Sequence, residues 1–310
     1  MSANLSNKQL QTLKKRAFFS ILTAIFLIIA GCIGFYLGWK QVKAPILLVL
    51  NFHGITDSPS APWETNYSDL EHILNTMKRN DYEFLSPQAF ESALKSRVHE
   101  GRKLLVTFDD GLKSSAEAIK KLYKEKGISC AFFIVNDFIG KENYVNKEDL
   151  VDLANNYNCK IGLHGQRHYE ITKILNENVD LGQELEQAKE QLSAIISRPV
   201  TWYAYPFGDY NASATRVIAS SSFEIAFTID GYNIDPDVDF KLVPRIMYLR
   251  GGANAGAPDP LDWAPPKIAR NGSLTITLAC LVFFISLSWI FRSINLLKFV
   301  RKVKEEQSSL

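Results

Sequence analysis

Acidic residues are absent from the first 40 positions of this 310-residue chain, which carry a net charge of +5. Cysteine is scarce too. Of the four, Cys32 and Cys280 lie in apolar runs, which leaves Cys130 and Cys159 and rules out a disulfide framework. That pair stands in strand-like surroundings, where a bridge in an oxidising compartment and two reduced core thiols are both open. There is no internal repeat and no Gly-rich loop that would cradle a phosphate. With 17 Gly and 12 Pro in a chain that is 46% hydrophobic and 22% charged, collagen-like, coiled-coil and disordered classes are excluded. The length fits one folded domain with appendages.

The charge that is present is unevenly placed. Residues 41–272 are net −6 and residues 273–310 net +3, so a mildly acidic middle lies between two basic ends. No nucleic acid partner is expected from such a balance. Two long apolar runs explain the ends. Ala17 to Trp39 holds 23 uncharged residues after Lys8, Lys14, Lys15 and Arg16, and Leu274 to Phe291 holds 18 before Arg292, Lys298, Arg301, Lys302 and Lys304. Each is long enough to cross a hydrocarbon core of about 30 Å as a helix.

Both basic flanks point to the cytoplasm, with Tyr36, Trp39 and Trp289 at interfaces. The predicted organisation is therefore a cytoplasmic N-terminus (1–16), a transmembrane anchor (17–39), an extracytoplasmic domain (41–250), a Gly/Ala/Pro-rich linker (251–272), a second transmembrane helix (274–291) and a cytoplasmic tail (292–310). A cleaved signal peptide, or a lipoprotein site at Ile29-Ala30-Gly31-Cys32, is the alternative for the first run. The apolar stretch Ile33 to Trp39 beyond Cys32 favours an uncleaved anchor. A buried core helix is the alternative for the second, and the basic tail argues against it.

Between the anchors, short β-branched or aromatic runs alternate with helical patterns, the signature of βα units on a parallel sheet. Strands are predicted at Ile46–Phe52, Lys103–Phe108, Ile128–Val135, Lys160–Leu163, Thr201–Tyr205, Glu224–Ile229 and Arg245–Leu249. Ser68 with Glu71 and Ser114 with Glu117 have capping-box spacing, Ser86-Pro87 opens a helix, and Asn146 and Asn211 cap two more. Gly127 ends a helix, and a long pattern from Val179 to Ile196 stops before Arg198-Pro199. Seven to eight units suit an α/β fold of the TIM-like (β/α) barrel type better than an open doubly wound sheet.

Distinctive polar residues follow directly on the apolar strands. His53 ends ILLVLNF, Asp109-Asp110-Gly111 ends KLLVTF, His164 ends KIGL with His168 four residues on, Tyr205-Pro206-Phe207-Gly208 ends TWYA, and Asp230 ends IAFTI. In a parallel barrel the strand C-termini share one face, so these residues converge there. One Asp with two His makes a divalent-metal set with open positions. The neighbouring Asp is then free to act as a base beside an activated water, which is hydrolytic chemistry. His72 and His99, in a helical pattern and a polar loop, are expected to be non-catalytic.

Thr107-Phe108-Asp109-Asp110-Gly111 with the later His164-x-x-x-His168 resembles the polysaccharide deacetylase (NodB-homology) superfamily, carbohydrate esterase family four, over about residues 46–250. The resemblance implies a distorted (β/α) barrel and metal-dependent removal of N-acetyl groups from sugars. It implies Asp109 as general base, with Asp110, His164 and His168 as ligands, most often of Zn²⁺. Three departures stand out: Gly165 replaces the usual Ser or Thr after the first His, the third motif is Tyr203-Ala204-Tyr205-Pro206-Phe207-Gly208 without its Arg, and no His follows His168.

Asn51-Phe52-His53-Gly54-Ile55 resembles the early His motif of the branch that deacetylates poly-β-1,6-N-acetylglucosamine in biofilms, where that His serves as acid. The same branch has Tyr-Pro-aromatic-Gly and a late stretch like Leu242-Val243-Pro244-Arg245-Ile246, which makes Arg245 a candidate to hold Asp109. Tyr205, Pro206, Phe207 and Gly208 become candidate substrate contacts, and Trp202 either joins them or belongs to the core. The expected protein is a membrane-anchored deacetylase of an N-acetylated polysaccharide, beside a synthase or export complex. A deacetylase or deformylase of a lipid-linked sugar, and a silent carbohydrate-binding subunit, are the alternatives.

Overall fold

The computed structural model describes residues 6–42, 46–97, 100–174, 180–231, 233–250 and 267–308. They fall into two units, the terminal helices and the chain between them. In chain order the elements are α1 (Asn7–Val42), β1 (Ile46–Phe52), α2 (Tyr67–Arg79), β2 (Tyr82–Phe84), α3 (Pro87–Ser96), β3 (Arg102–Phe108), α4 (Lys113–Lys126), β4 (Cys130–Ile134), α5 (Lys147–Asn156), β5 (Lys160–Leu163), α6 (Ile171–Ile174), α7 (Leu181–Ile196), β6 (Trp202–Ala204), α8 (Ala212–Ser220), β7 (Ile225–Phe227), β8 (Ile246–Met247) and α9 (Lys267–Ser308).

All strand ladders are parallel, in the order β7-β6-β5-β4-β3-β1-β8, with β2 on the start of β3. The sheet curls, and the segment before β8 bridges its two ends. Val243 donates to Ala226 and accepts from Thr228, Gly231 donates to the carbonyl of Arg245, and β8 pairs with β1. This is the distorted TIM-like barrel expected from the sequence.

Every residue of β1 and β4 is buried, as parallel strands covered on both faces require. Leu47, Val49, Leu105, Ala131, Phe133, Trp202, Ala204 and Phe227 alternate along their strands to make one inner cluster, joined by Phe90 and Leu94 of α3. Leu48, Leu50, Val106, Phe132 and Ile161 take the opposite face against the helices. Each such buried side chain contributes on the order of 1.5–3 kcal/mol. Gly162 of β5 makes room for the inner cluster, because a Cβ there would lie 2.5 Å from the Phe133 ring.

Helix starts follow the expectation at Ser86-Pro87, at Asn146 (a capping box with Asp149) and at Asn211, and Gly127 closes α4 at φ +67°. Two capping boxes are corrected. Helix α2 starts at Tyr67 under Asn66, whose side chain accepts from Asp69, so Ser68 and Glu71 are already inside it. Helix α4 starts after Leu112 with no side-chain cap, which puts Ser114 within the helix, and Ser115 bonds the carbonyl of His53 instead. Strand β2 was not anticipated. Cys130 and Cys159 are buried free thiols.

In the terminal unit α1 and α9 pack antiparallel. Leu10 clusters with Val300 and Val303, the Ser20 and Ser293 hydroxyls bond at 2.9 Å, and Gly31 faces the carbonyl of Ala279. Residues 7–36 and 276–303 are long and apolar enough to cross a membrane. The outward side chains Phe26, Phe284 and Phe291 are more than three-fifths exposed, unlike those of a core helix. Helix α1 runs without a break through Cys32. Residues 251–266 of the predicted linker lie outside the described residues, as does His99. Its last part is corrected, since α9 already begins at Lys267.

Candidate active site

The inner face of the barrel changes character at the strand C-termini. Along β1 the inward series Leu47, Val49 continues to Asn51 and His53, and along β3 Leu105 continues to Thr107 and Asp109. Gly162 continues to His164, and Arg245 enters from the closing segment. Asp109 and His164 extend the ladders, donating backbone N–H to Phe52 and Ile134 at 3.0 and 2.7 Å. Asn51, Thr107, Asp109, His164 and Arg245 are each at most 2% exposed. A polar layer therefore caps an apolar one.

Arg245 and Asp109 form the centre of that layer. Nη1 donates to Oδ1 and Nη2 to Oδ2, both at 2.8 Å, a bidentate fork. Two further donors are used: Nε bonds the carbonyl of Thr228 at 3.1 Å and Nη1 reaches Thr107 Oγ1 at 3.3 Å. The guanidinium lies over Phe133 and Phe227, 5.2 and 5.8 Å from their centroids. Asn51 Nδ2 donates to Asp109 Oδ2 at 3.0 Å. Burial alone would raise the Asp109 carboxyl, but the Arg245 guanidinium, aided by His164, overrides it and holds the group well below the usual carboxylate range.

Asp110 sits at φ +71°, so its carboxylate leaves the strand in a different direction from that of Asp109. Its Oδ1 lies 3.2 Å from His168 Nε2 and 3.5 Å from His164 Nε2. His164 Nδ1 faces the carbonyl of Ala204 at 2.9 Å, a contact in which Nδ1 is the donor and which leaves Nε2 facing Asp110. Burial, reinforced by the His164 imidazole, pushes His168 down to about 4, leaving its ring neutral at neutral pH. Asp110 Oδ1 is buried with no hydrogen-bond donor. The ligand atoms of Asp110, His164 and His168 all lie within 4.8 Å of one another. Acceptor atoms converging without a donor between them are the environment a divalent cation fits.

Backbone strain gathers at the same mouth. Three of the eight described non-glycine residues with positive φ stand here, Asp110, His168 (φ +57°) and Phe207 (φ +59°), at about 1–3 kcal/mol each. Gly165 has φ +85°, so the glycine that replaces Ser or Thr suits its backbone, and its carbonyl accepts from Asn136. At Gly208 a Cβ would collide with the Ile229 side chain.

The structure brings His53, Asp109, Asp110, His164, His168, Phe207 and Gly208 around one cavity of about 500 Å³. Phe207 stacks on His168 with centroids 4.4 Å apart. The other candidates are placed differently. Pro206 is buried and does not line the cavity. Tyr205 borders it but is wholly buried, its hydroxyl bonded to the carbonyl of Lys241. Trp202 belongs to the inner core, with Nε1 on Glu91. Asp230 is engaged by Thr228 and Tyr210. His72 is exposed on α2. Sequence reasoning missed Asn51 and Thr107, although both are polar residues at inward positions of apolar strands, and it missed Trp63 and Tyr144 on the cavity wall, for which no periodic signal exists.

Residues 96–226 match the polysaccharide deacetylase family model, a span that contains Asp109, Asp110, His164 and His168 but neither His53 nor Arg245. The poly-beta-1,6-N-acetyl-D-glucosamine N-deacetylase of Staphylococcus aureus is 19% identical over 196 residues, covering 60% of this chain and 68% of the relative. Among solved structures, IcaB from Ammonifex degensii aligns with a TM-score of 0.59 at 20% identity, over 76% of this chain and 98% of that one. The Streptococcus pyogenes deacetylase PplD, solved with acetate, aligns with a TM-score of 0.60 at 17% identity, over 71% of this chain and 96% of that one. These neighbours share the barrel. With the family match on the motif that builds the site, residues 96–226 carry a polysaccharide deacetylase domain, the mark of a hydrolase acting on carbon–nitrogen bonds.

Proposed function

We propose that this protein is a membrane-anchored N-deacetylase of an N-acetylglucosamine polymer, poly-β-1,6-N-acetylglucosamine by its likeness to the staphylococcal enzyme. Both termini lie in the cytoplasm and the barrel outside it, beside the machinery that makes or exports the polymer. The observation that carries the reading is the Asp109–Arg245 fork next to the Asp110, His164 and His168 cluster, in a cavity that His53 also lines.

Asp110, His164 and His168 would hold the cation, Zn²⁺ by the nitrogen-rich donor set. When bound, such an ion polarises an acyl carbonyl and lowers the pKa of water. Arg245 keeps Asp109 ionised and fixed, so that Asp109 takes a proton from the attacking water as the new C–O bond forms. Ser115 Oγ donates to the His53 backbone carbonyl at 2.6 Å, and among the described residues the buried His53 Nδ1 has no hydrogen-bond partner. His53 delivers a proton to the departing nitrogen as the C–N bond breaks, giving acetate and the free amine. Phe207, 55% exposed beside His168, offers an apolar wall for the acetyl methyl.

The test is acetate release by the full-length protein from β-1,6-linked N-acetylglucosamine oligomers, with Zn²⁺ present and after chelation. Release should vanish on chelation and return with metal. Asp109→Asn should retain metal and lose about 10²–10⁴-fold in rate, and His53→Ala should lose a similar factor. A chelation-insensitive rate, or an Asp109→Asn variant near full rate, would sink the assignment. Turnover of a lipid-linked sugar alone would shift the substrate and leave the roles standing.

A further inference from the structure

Between α1 and α9 lies a notch of about 360 Å³ lined by Arg16, Ala17, Ser20, Trp289, Arg292 and Ser293, with Leu296 beside them. Arg16 is the last residue before the apolar run of α1, and Arg292 the first after that of α9. The Ser20–Ser293 hydrogen bond ties the two helices together at this level, and Arg16 and Arg292 both line the notch beside it. Ala17, Ser20 and Ser293 are small, which opens the seam here. Trp289, 43% exposed, forms one side.

Among the described residues the two guanidiniums have no counter-charge. Residues 1–40 contain no acid, and on α9 Glu305 is taken by Arg301 at 2.9 Å. Among the described residues neither Arg16 nor Arg292 has a carboxylate partner. Two planar, five-donor cations at the edge of a low-dielectric layer call for an anion that takes several hydrogen bonds at once, which a phosphodiester does. The exposed Phe18, Phe19 and Phe291 beside the notch suit acyl chains.

We infer that this notch is a binding site for one anionic phospholipid of the cytoplasmic leaflet, its phosphodiester held between Arg16 and Arg292. The site rests on the membrane-spanning reading of α1 and α9 and is independent of the deacetylase chemistry. It differs from the general attraction of basic flanks to anionic lipid because it is concave and assigns unequal weight to equal charges. Lys14 and Lys15 lie next in sequence but outside the notch.

The test uses the full-length protein in nanodiscs of phosphatidylcholine with a minor fraction of phosphatidylglycerol, the lipids it retains being counted by native mass spectrometry. Wild type should retain phosphatidylglycerol over phosphatidylcholine by about tenfold or more. The double variant Arg16→Gln with Arg292→Gln should lose that preference. Lys14→Gln with Lys15→Gln, which removes the same charge, should change it less than about twofold. Equal losses in the two variants would overturn the site, leaving only surface charge. Displacement of the lipid by inorganic phosphate would overturn the lipid in favour of a soluble anion. Failure to enter nanodiscs of phosphatidylcholine alone would instead refute the spanning helices.

Discussion

The barrel and the helix pair solve the problem of close packing with opposite kinds of residue. Inside the barrel the largest side chains meet, Trp202, Phe133 and Phe227, and the polar layer above them carries a buried ion pair. Along the helix seam the buried positions recur every seven residues and are mostly small: Leu10, Ala17, Ala24 and Gly31 on α1, Ala279, Ser286, Ser293 and Val300 on α9. In water, burying large apolar groups drives closure. In lipid that drive is absent, so helices gain from near approach of backbones and from hydroxyl contacts. The barrel concentrates its energy in a few sites, whereas the seam spreads it thinly, and substitutions should separate the two.

The largest effect is expected at Arg245. Arg245→Met leaves an ionised, buried Asp109 without its partner and should cost about 3–5 kcal/mol in equilibrium unfolding of the full chain. Adding Asp109→Leu should recover most of that loss, because the uncompensated charge goes too. The pH response gives a second readout. The folded Asp109 carboxyl titrates below its ordinary 3.8, so the pair contributes fully above pH 3.8 and is lost as pH falls from there. Without Arg245 burial dominates, the folded carboxyl titrates above 3.8, and the variant should gain stability on mild acidification. A loss under about 1 kcal/mol with the wild-type slope would show that the fork is not what supports the polar layer.

How far the sequence revealed this layer depends on the kind of signal. Strands β1 and β5 match their predicted limits because both faces are buried and the apolar runs end in Asn-Phe-His and Leu-His. Asp109, Asp110, His164 and His168 were legible because each directly follows or closely trails a strand. Arg245 is far from any of them in sequence and was legible only by resemblance; the closing segment that delivers it leaves a two-residue strand. Strand β2 has three residues, one of them charged, too few for a period. The misplaced caps of α2 and α4 have a local cause: Asn66 precedes Ser68 and takes its hydroxyl hydrogen, and Leu112 offers no oxygen. Both helices begin where tertiary packing puts them.

A middle-sized effect is expected one layer below the site. Gly162→Ala adds a methyl 2.5 Å from the Phe133 ring, which also supports the Arg245 guanidinium. Overpacking of this kind costs about 1–3 kcal/mol. Phe133→Leu in the same chain should relieve it, and acetate release should follow stability in both variants. If Gly162→Ala lowers the rate without lowering stability, the inner cluster positions Arg245 rather than merely filling space.

The smallest effect belongs to the seam. Ser20→Ala and Ser293→Ala each remove one end of a 2.9 Å hydroxyl contact between α1 and α9. In lipid such contacts are worth about 0.6 kcal/mol on average and seldom more than about 1.7, because the separated helices find other partners. A double-mutant cycle read by thermal denaturation in mild detergent should give a coupling in that range. A coupling as large as that of the Asp109–Arg245 fork would erase the contrast between the units. A coupling of zero would assign the seam to Ala17, Ala24, Gly31 and Ala279 alone, where backbone approach rather than hydrogen bonding holds the helices together.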